Sequence, residues 1–278
     1  MLKKIALSCT LLAVSAFVVM SCGGNKNADN TNTGGSGDAG KSAYQSAGDE
    51  GSVTGKIMFT GTPPTPKTID MGQDPVCVST ATSKTTDDVM VKDGKLANVF
   101  VYVKSGGAVD KFTFAVPAGE PELDQKGCRY TPHVMGVVAK QNIKIVNSDN
   151  TTHNIHFTPA KNDDWNKSQP PGTPALEKSF ARAEVLVPVK CNQHPWMKAY
   201  VGVLPHPFFS VSKEDGSYTI SNLPPGEYTI VAWHEKYGEQ TQKVTVGAKE
   251  SKAQDFTFNA TSAYAPTSLK VEPALVLH

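Results

Sequence analysis

The sequence predicts an all-β fold of sandwich type, and three observations carry that prediction. Short apolar runs recur from about residue 51, several alternating with period two, as Val185, Val187 and Val189 do on one expected strand face. Proline and glycine turns separate them, among them Thr62-Pro63-Pro64, Gln169-Pro170-Pro171-Gly172 and Leu223-Pro224-Pro225-Gly226. No long run with helical spacing competes, so sheets must bury one another's faces.

The N-terminal segment precedes this body. Lys3 and Lys4 form a basic start, and the mostly apolar stretch from Ile5 to Met20 is shorter than the ~20 residues a spanning helix needs. Residues 1–21 therefore read as an export signal. They run into Val19-Met20-Ser21-Cys22, which resembles a bacterial lipobox and makes Cys22 the expected lipid-attachment site; an ordinary signal peptide cleaved elsewhere is the alternative. Gly23 and Gly24 follow, without an Asp of the kind that retains lipoproteins on the inner membrane. The expectation is an exported chain, lipid-anchored in the outer membrane and facing the periplasm or the surface, with no other membrane contact. Residues 22–50 are almost entirely small and polar, with Tyr44 the sole aromatic, and cannot bury enough apolar surface to offset ordering. They read as a disordered tether with a reach of roughly 30 Å. Removal of Lys3 and Lys4 with the signal moves the formal charge from +1 to −1, so no field of one sign recruits nucleic acid.

Expected strands follow in order: Val53 to Phe59, Asn98 to Lys104, Lys111 to Ala115, Asn142 to Asn147, His153 to Phe157, Glu184 to Lys190, Ala199 to Leu204, Ser217 to Ile220, Glu227 to Trp233, Gln242 to Val246 and Asp255 to Phe258. Asp215-Gly216 makes a tight turn, Tyr218 and Ile220 face inward, and Pro224-Pro225-Gly226 turns the chain into the next strand. The run from Asp215 to Ile230 resembles the second half of a carboxypeptidase regulatory-like domain, a small transthyretin-like β-sandwich. Gly51-Ser52-Val53-Thr54-Gly55-Lys56-Ile57 and the segment Leu96 to Val103 fit the first half of that family, more than a hundred residues upstream.

Between these halves, Cys191-Asn192-Gln193-His194-Pro195-Trp196-Met197 offers a thiolate, an imidazole and a thioether on one short loop directly after a strand. Such a loop fixes three donors on one metal with little freedom. Zinc gains little from a thioether, and haem attachment needs a second cysteine before the histidine. The loop resembles that of amicyanin, a cupredoxin, and Asn147 to Phe157 resembles the segment carrying that family's first histidine. The resemblance implies a type 1 copper site with ligands His153, Cys191, His194 and Met197. It also implies that Asn154 braces the Cys191 loop, with Gln193 and Pro195 beside the ligands. Gln193 stands where amicyanin has proline, and its restored amide near the thiolate is expected to stabilise Cu(I) and raise the potential. The implied architecture is a Greek-key cupredoxin sandwich, residues 109–205, inserted between residues 51–108 and 206–259 of a regulatory-like sandwich, with 260–278 as a tail. A tandem arrangement, with the second domain from about residue 207, is the alternative, although the clear strands after Pro205 are few for a sandwich of their own.

Five cysteines are present. Cys9 leaves with the signal, Cys22 takes the lipid, and Cys191 takes the metal, so Cys77 and Cys128 either pair in an oxidising compartment or stay buried and free. Trp196 either presents an apolar docking patch around a solvent-edge His194 or packs. By alternation His156 points away from His153. His133, His206 and His234 carry no clear signal, although His206 and His234 could meet as a second metal or docking site. With four protein donors filling the metal's positions and no nucleophile near a base, the expectation is not an enzyme. It is an electron carrier, with a partner such as a c-type cytochrome. The alternatives are a copper storage or delivery protein without a redox partner, or a surface polymer-binding module with structural copper.

Overall fold

The structure, a computed structural model, describes residues 40–261. The signal, Cys22, the first part of the tether and residues 262–278 lie outside the described residues. The chain begins with β1 (Ser42–Ala43), β2 (Gly51–Thr60), the short helix α1 (Pro75–Thr80), β3 (Val91–Lys92), β4 (Lys95–Leu96), β5 (Phe100–Gly106) and β6 (Phe112–Thr113). It continues through β7 (Glu122–Gln125), β8 (Tyr130–Thr131), β9 (Val134–Val138), β10 (Ile143–Asn147), β11 (His153–Phe157), β12 (Trp165–Gln169), β13 (Leu176–Lys178), β14 (Glu184–Lys190) and β15 (Lys198–Leu204). Last come β16 (Phe209–Val211), β17 (Ser217–Leu223), β18 (Gly226–His234), β19 (Gly238–Val246), β20 (Ser251–Ala253) and β21 (Phe256–Asn259).

Two pairs of sheets result. In the first pair, β12-β11-β14-β15-β9 faces β13-β10-β7-β8, and both enclose a core of Leu123, Ile145, Ile155, Phe157, Val187 and Val201. In the second pair, β16-β5-β18-β19 and the sheet β17-β2-β4-β3 enclose Val53, Ile57, Val101, Tyr218, Ile230 and Phe258. This second core draws on both ends of the body: β2 pairs with β17, β20 and β21, and β5 pairs with β16 and β18.

A third apolar cluster, of Phe100, Tyr102, Val134, Leu204 and Val231, joins the two sandwiches. Gly136 and Gly202 face each other across β9 and β15, and a Cβ on Gly202 would lie 2.3 Å from the Phe100 ring. Two side chains are missing there because an aromatic ring fills their space. A buried ion pair, His133 Nε2 to Glu235 Oε1 at 2.5 Å, crosses the same junction, and Tyr200 donates to the other Glu235 oxygen at 3.1 Å. Burial opposes charge on His133, but the Glu235 carboxylate outweighs it and raises the histidine's pKa.

Two sequence expectations need correction. Val185 is 38% exposed while Val187 and Val189 are buried, because the β14–β15 register shifts between Glu184 and Val187 and moves the valine to the other face. The segment read as tether is ordered at its end: β1 pairs with β6, and the Tyr44 ring packs on Phe112 and Phe114 at 5.6 and 5.3 Å. The lone aromatic finds an apolar partner that a composition argument could not see.

Candidate metal centre

Local chemistry shapes the loop Cys191–Met197. Pro195, with its φ preset, follows His194 in a turn closed by Met197 N–H donating to the His194 carbonyl at 2.9 Å. Cys191 N–H donates to the Met197 carbonyl at 3.2 Å, which ties the loop's two ends together. Cys191, His194 and Met197 are buried, while Asn192, Gln193 and Pro195 face solvent. On the neighbouring β11, His153, Asn154 and Ile155 are buried and His156 turns outward to Asp164 and Asn192. An Asx turn, Asp149 N–H to Asn147 Oδ1 at 3.0 Å, sets the entry into that strand.

These two segments bring His153, Cys191 and His194 together, with one donor atom from each within 4.8 Å of the others. His153 Nδ1 lies 2.9 Å from His194 Nδ1, and Cys191 Sγ lies 3.7 Å from His194 Nδ1. Donors at ~2.0 to 2.3 Å from one tetrahedral ion stand roughly 3.3 to 3.8 Å apart; the Cys191–His194 spacing falls in that range, and the shorter His153–His194 spacing needs the two rings to part slightly around a small cation. Met197 is fully buried in the same core as Cys191. Asn154 N–H points at Cys191 Sγ from 3.4 Å, and its side-chain oxygen accepts from the Asn192 amide.

Each histidine is fixed from behind by a carboxylate. Asp149 Oδ2 meets His153 Nε2 at 2.9 Å, and Asp74 Oδ2 meets His194 Nε2 at 3.0 Å. The carboxylates are themselves anchored. Asp149 accepts from Gly127 and Cys128 amides, both at 2.7 Å, where positive φ at both residues aims successive N–H groups at one anion. Asp74 caps α1, accepting from Val76 N–H at 2.8 Å and Cys77 N–H at 3.2 Å with Pro75 in the first turn, and takes a third bond from the Thr151 hydroxyl at 2.7 Å. An anchored, ionised carboxylate only accepts, so both histidines carry Nε2–H and turn their Nδ1 atoms toward each other and the sulfur.

Electrostatics agree with that picture. Burial opposes ionisation of Cys191, but hydrogen bonds from His153 and from the Asn154 and His194 amides outweigh it and bring the thiol below its ordinary pKa. Burial likewise opposes charge on His153, yet Asp149 and Cys191 raise its pKa to about 9. Burial, then the charge on His153, lowers that of His194.

The disulfide joins Cys77 and Cys128, the pair that cysteine arithmetic leaves for it, across 51 residues. In the chain-entropy account it is worth about 4 kcal/mol. It fastens α1 over the centre, so His194 is only 5% exposed and is not the solvent-edge residue expected from the loop. Trp196 is partly buried: its ring centroid is 5.1 Å from that of His194, and its Nε1–H donates to the Cys128 carbonyl at 3.2 Å. Residues 67–81, expected to belong with the first regulatory-like half, place Ile69, Met71, Cys77 and Ala81 against the metal-side core.

His206 and His234 do not meet at a metal site. His206 packs on Phe114 and Phe208, and His234 on Tyr237 and Phe258. Each ring accepts at Nδ1 from the amide two residues on, Phe208 and Lys236 respectively. Sequence reasoning missed Asp74 and Asp149. Asp149 stands four residues before His153, and Asp74-Pro75 is a legible helix start, but nothing in the sequence tells that Asp74 reaches His194, 120 residues away.

Residues 196–259 match the family model described as the carboxypeptidase regulatory-like domain. That match begins ten residues before the boundary expected at residue 206. No curated protein matches the chain by sequence. Similar solved structures include a copper-containing nitrite reductase from Thermus scotoductus SA-01, 16% identical, covering 36% of this chain and 25% of that one with a TM-score of 0.29. A purple cupredoxin from Nitrosopumilus maritimus is 18% identical over 30% of this chain and 99% of its own, with a TM-score of 0.26. An amicyanin in its Cu(I) form is 20% identical over 37% and 97%, with a TM-score of 0.27. The chain therefore spans a quarter of the nitrite reductase and nearly all of the two smaller proteins.

Proposed function

We propose that this chain holds one copper ion as a type 1 centre and carries single electrons between redox partners, such as a c-type cytochrome, in the bacterial cell envelope. One observation supports the reading above all: two carboxylate-fixed histidines turn their Nδ1 atoms onto the sulfur of a buried, unpaired cysteine. His153, Cys191 and His194 would hold the ion, and Met197, buried in the same core, would supply a weak fourth donor. Copper bound to two imidazoles, a thiolate and a weak thioether supplies a one-electron Cu(I)/Cu(II) couple.

The chain's own residues then do the rest. Asp74 and Asp149 hold the Nε2 protons and so orient both rings. The Asn154 amide tempers charge on the sulfur, and Trp196, its ring 5.1 Å from that of His194, limits water beside that ligand. A rigid donor set suits electron transfer because little reorganises when the charge changes. In this reading residues 51–108 and 206–259 form the regulatory-like host, residues 109–205 form the metal-bearing sandwich, and lipid on Cys22 keeps the body at the outer membrane.

An optical and EPR spectrum of the copper-loaded chain tests the proposal. An intense visible thiolate-to-copper band is expected, and it must disappear in Cys191→Ser; a colourless loaded protein refutes it. The burial of His194 behind Asp74 favours one second reading, a copper holder or delivery protein without a redox partner. Electron exchange with a c-type cytochrome separates the two.

A further inference from the structure

The disulfide lies against the outer side of the metal centre, and its surroundings form a second donor cluster. Cys77 Sγ, a ring nitrogen of His194 and an oxygen of Asp74 lie within 4.8 Å of one another, and Cys128 Sγ, a ring nitrogen of His153 and an oxygen of Asp149 do the same. Because the two sulfurs are bonded to each other, the groups are halves of one cluster of two sulfurs, two imidazoles and two carboxylates. Its carboxylates meet the histidines at Nε2, the side opposite the Nδ1 atoms that face Cys191.

We propose that reduction of Cys77–Cys128 opens a second metal site, in which the two thiolates, with Asp74 and Asp149 beside them, take up a soft d¹⁰ cation such as Cu(I), back to back with the first centre. A disulfide sulfur is a poor donor, whereas a thiolate pair selects soft ions. Both cysteines are fully buried and Asp149 nearly so, so ionised thiols there need a cation to offset charge that water does not reach. Asp74 and Asp149 are fixed beside the sulfurs by the amides of the same two cysteines, so their negative charge adds to the attraction for a cation held by the thiolates.

The steps balance. A dithiol reductant transfers two electrons and two protons; the S–S bond breaks, two thiols form, and the reductant closes its own disulfide. Uptake of Cu(I) then releases the two thiol protons to solvent.

The test uses the full chain with Cys9→Ser and Cys22→Ser, which leaves Cys77, Cys128 and Cys191. Cu(I) is titrated in competition with a chromophoric bathocuproine chelator, before and after reduction by a tertiary phosphine that is then removed anaerobically, with free thiols counted. One equivalent is expected in the oxidised chain and two in the reduced chain. Adding Cys191→Ser to this chain removes the thiolate of the first centre but must keep the extra equivalent gained on reduction, so this outcome is independent of the reading given to that centre. A reduced chain that binds no more copper than the oxidised one overturns the proposal. So does a disulfide that the phosphine cannot open while circular dichroism still reports the fold.

Discussion

Each sandwich buries a pair of histidines, and the two pairs are built for opposite ends. On the metal side His153 and His194 are backed by Asp149 and Asp74, carboxylates held by backbone amides and a hydroxyl. In the other sandwich His206 and His234 have no carboxylate in hydrogen-bond contact among the described residues; each accepts at Nδ1 from a local amide and lies among aromatic rings. Burial therefore lowers the pKa of His206 to about 4 and of His234 to about 3, while that of His153 rises to about 9. The same side chain is a poised donor in one core and a neutral packing unit in the other. What differs is whether a fixed anion stands behind the ring.

The comparison can be broken most directly at its sulfur. Cys191→Ser should abolish the visible band of the copper-loaded chain, whereas His206→Phe should leave it intact. Acid should act on the other pair. His206 and His234 have folded pKa values below the ordinary value of 6.5, so the unfolded chain binds more protons and stability falls as pH drops from about 6.5 toward the folded values. Between pH 7 and 5 each contributes about 2 kcal/mol of loss, and urea melts of His234→Gln should lose about half of the slope that this pair contributes; an unchanged slope removes the contrast. Asp74→Asn should weaken metal binding ~10- to 100-fold, measured by chelator competition, with little change in the protein's fold. Smallest is Gln193→Pro, which removes one amide beside the sulfur. A hydrogen bond worth ~0.5–1.5 kcal/mol corresponds to roughly 20–65 mV for one electron, so voltammetry should show a potential lower by that amount; no change refutes the role given to Gln193.

Much of this was legible in local pattern. The Cys191–Met197 loop carries its donors within one turn, and cysteine arithmetic leaves Cys77 and Cys128 to pair or to stay free, of which the fold takes the first. Long-range partners were not legible. Asp74 reads as a helix cap, and only the tertiary path brings it to His194. Val185 follows the alternation until a register shift reverses it, and Tyr44 belongs to a polar segment by composition yet packs against two phenylalanines. Nor does the sequence tell whether His206 and His234 meet, because periodicity does not say which strand ends share a corner.

The pairing of β2 with β17, β20 and β21, and of β5 with β16 and β18, has a consequence for biosynthesis. Every strand of the first pair of sheets has been synthesised by Leu204, while β2 has only β4 beside it and β5 has neither β16 nor β18. For the time needed to synthesise the remaining strands, at ~5–20 residues per second, two apolar strands wait with open edges. A chain truncated after residue 205 should therefore expose its earliest strands and bind a holdase chaperone through them, even though its later part has every strand it needs to close.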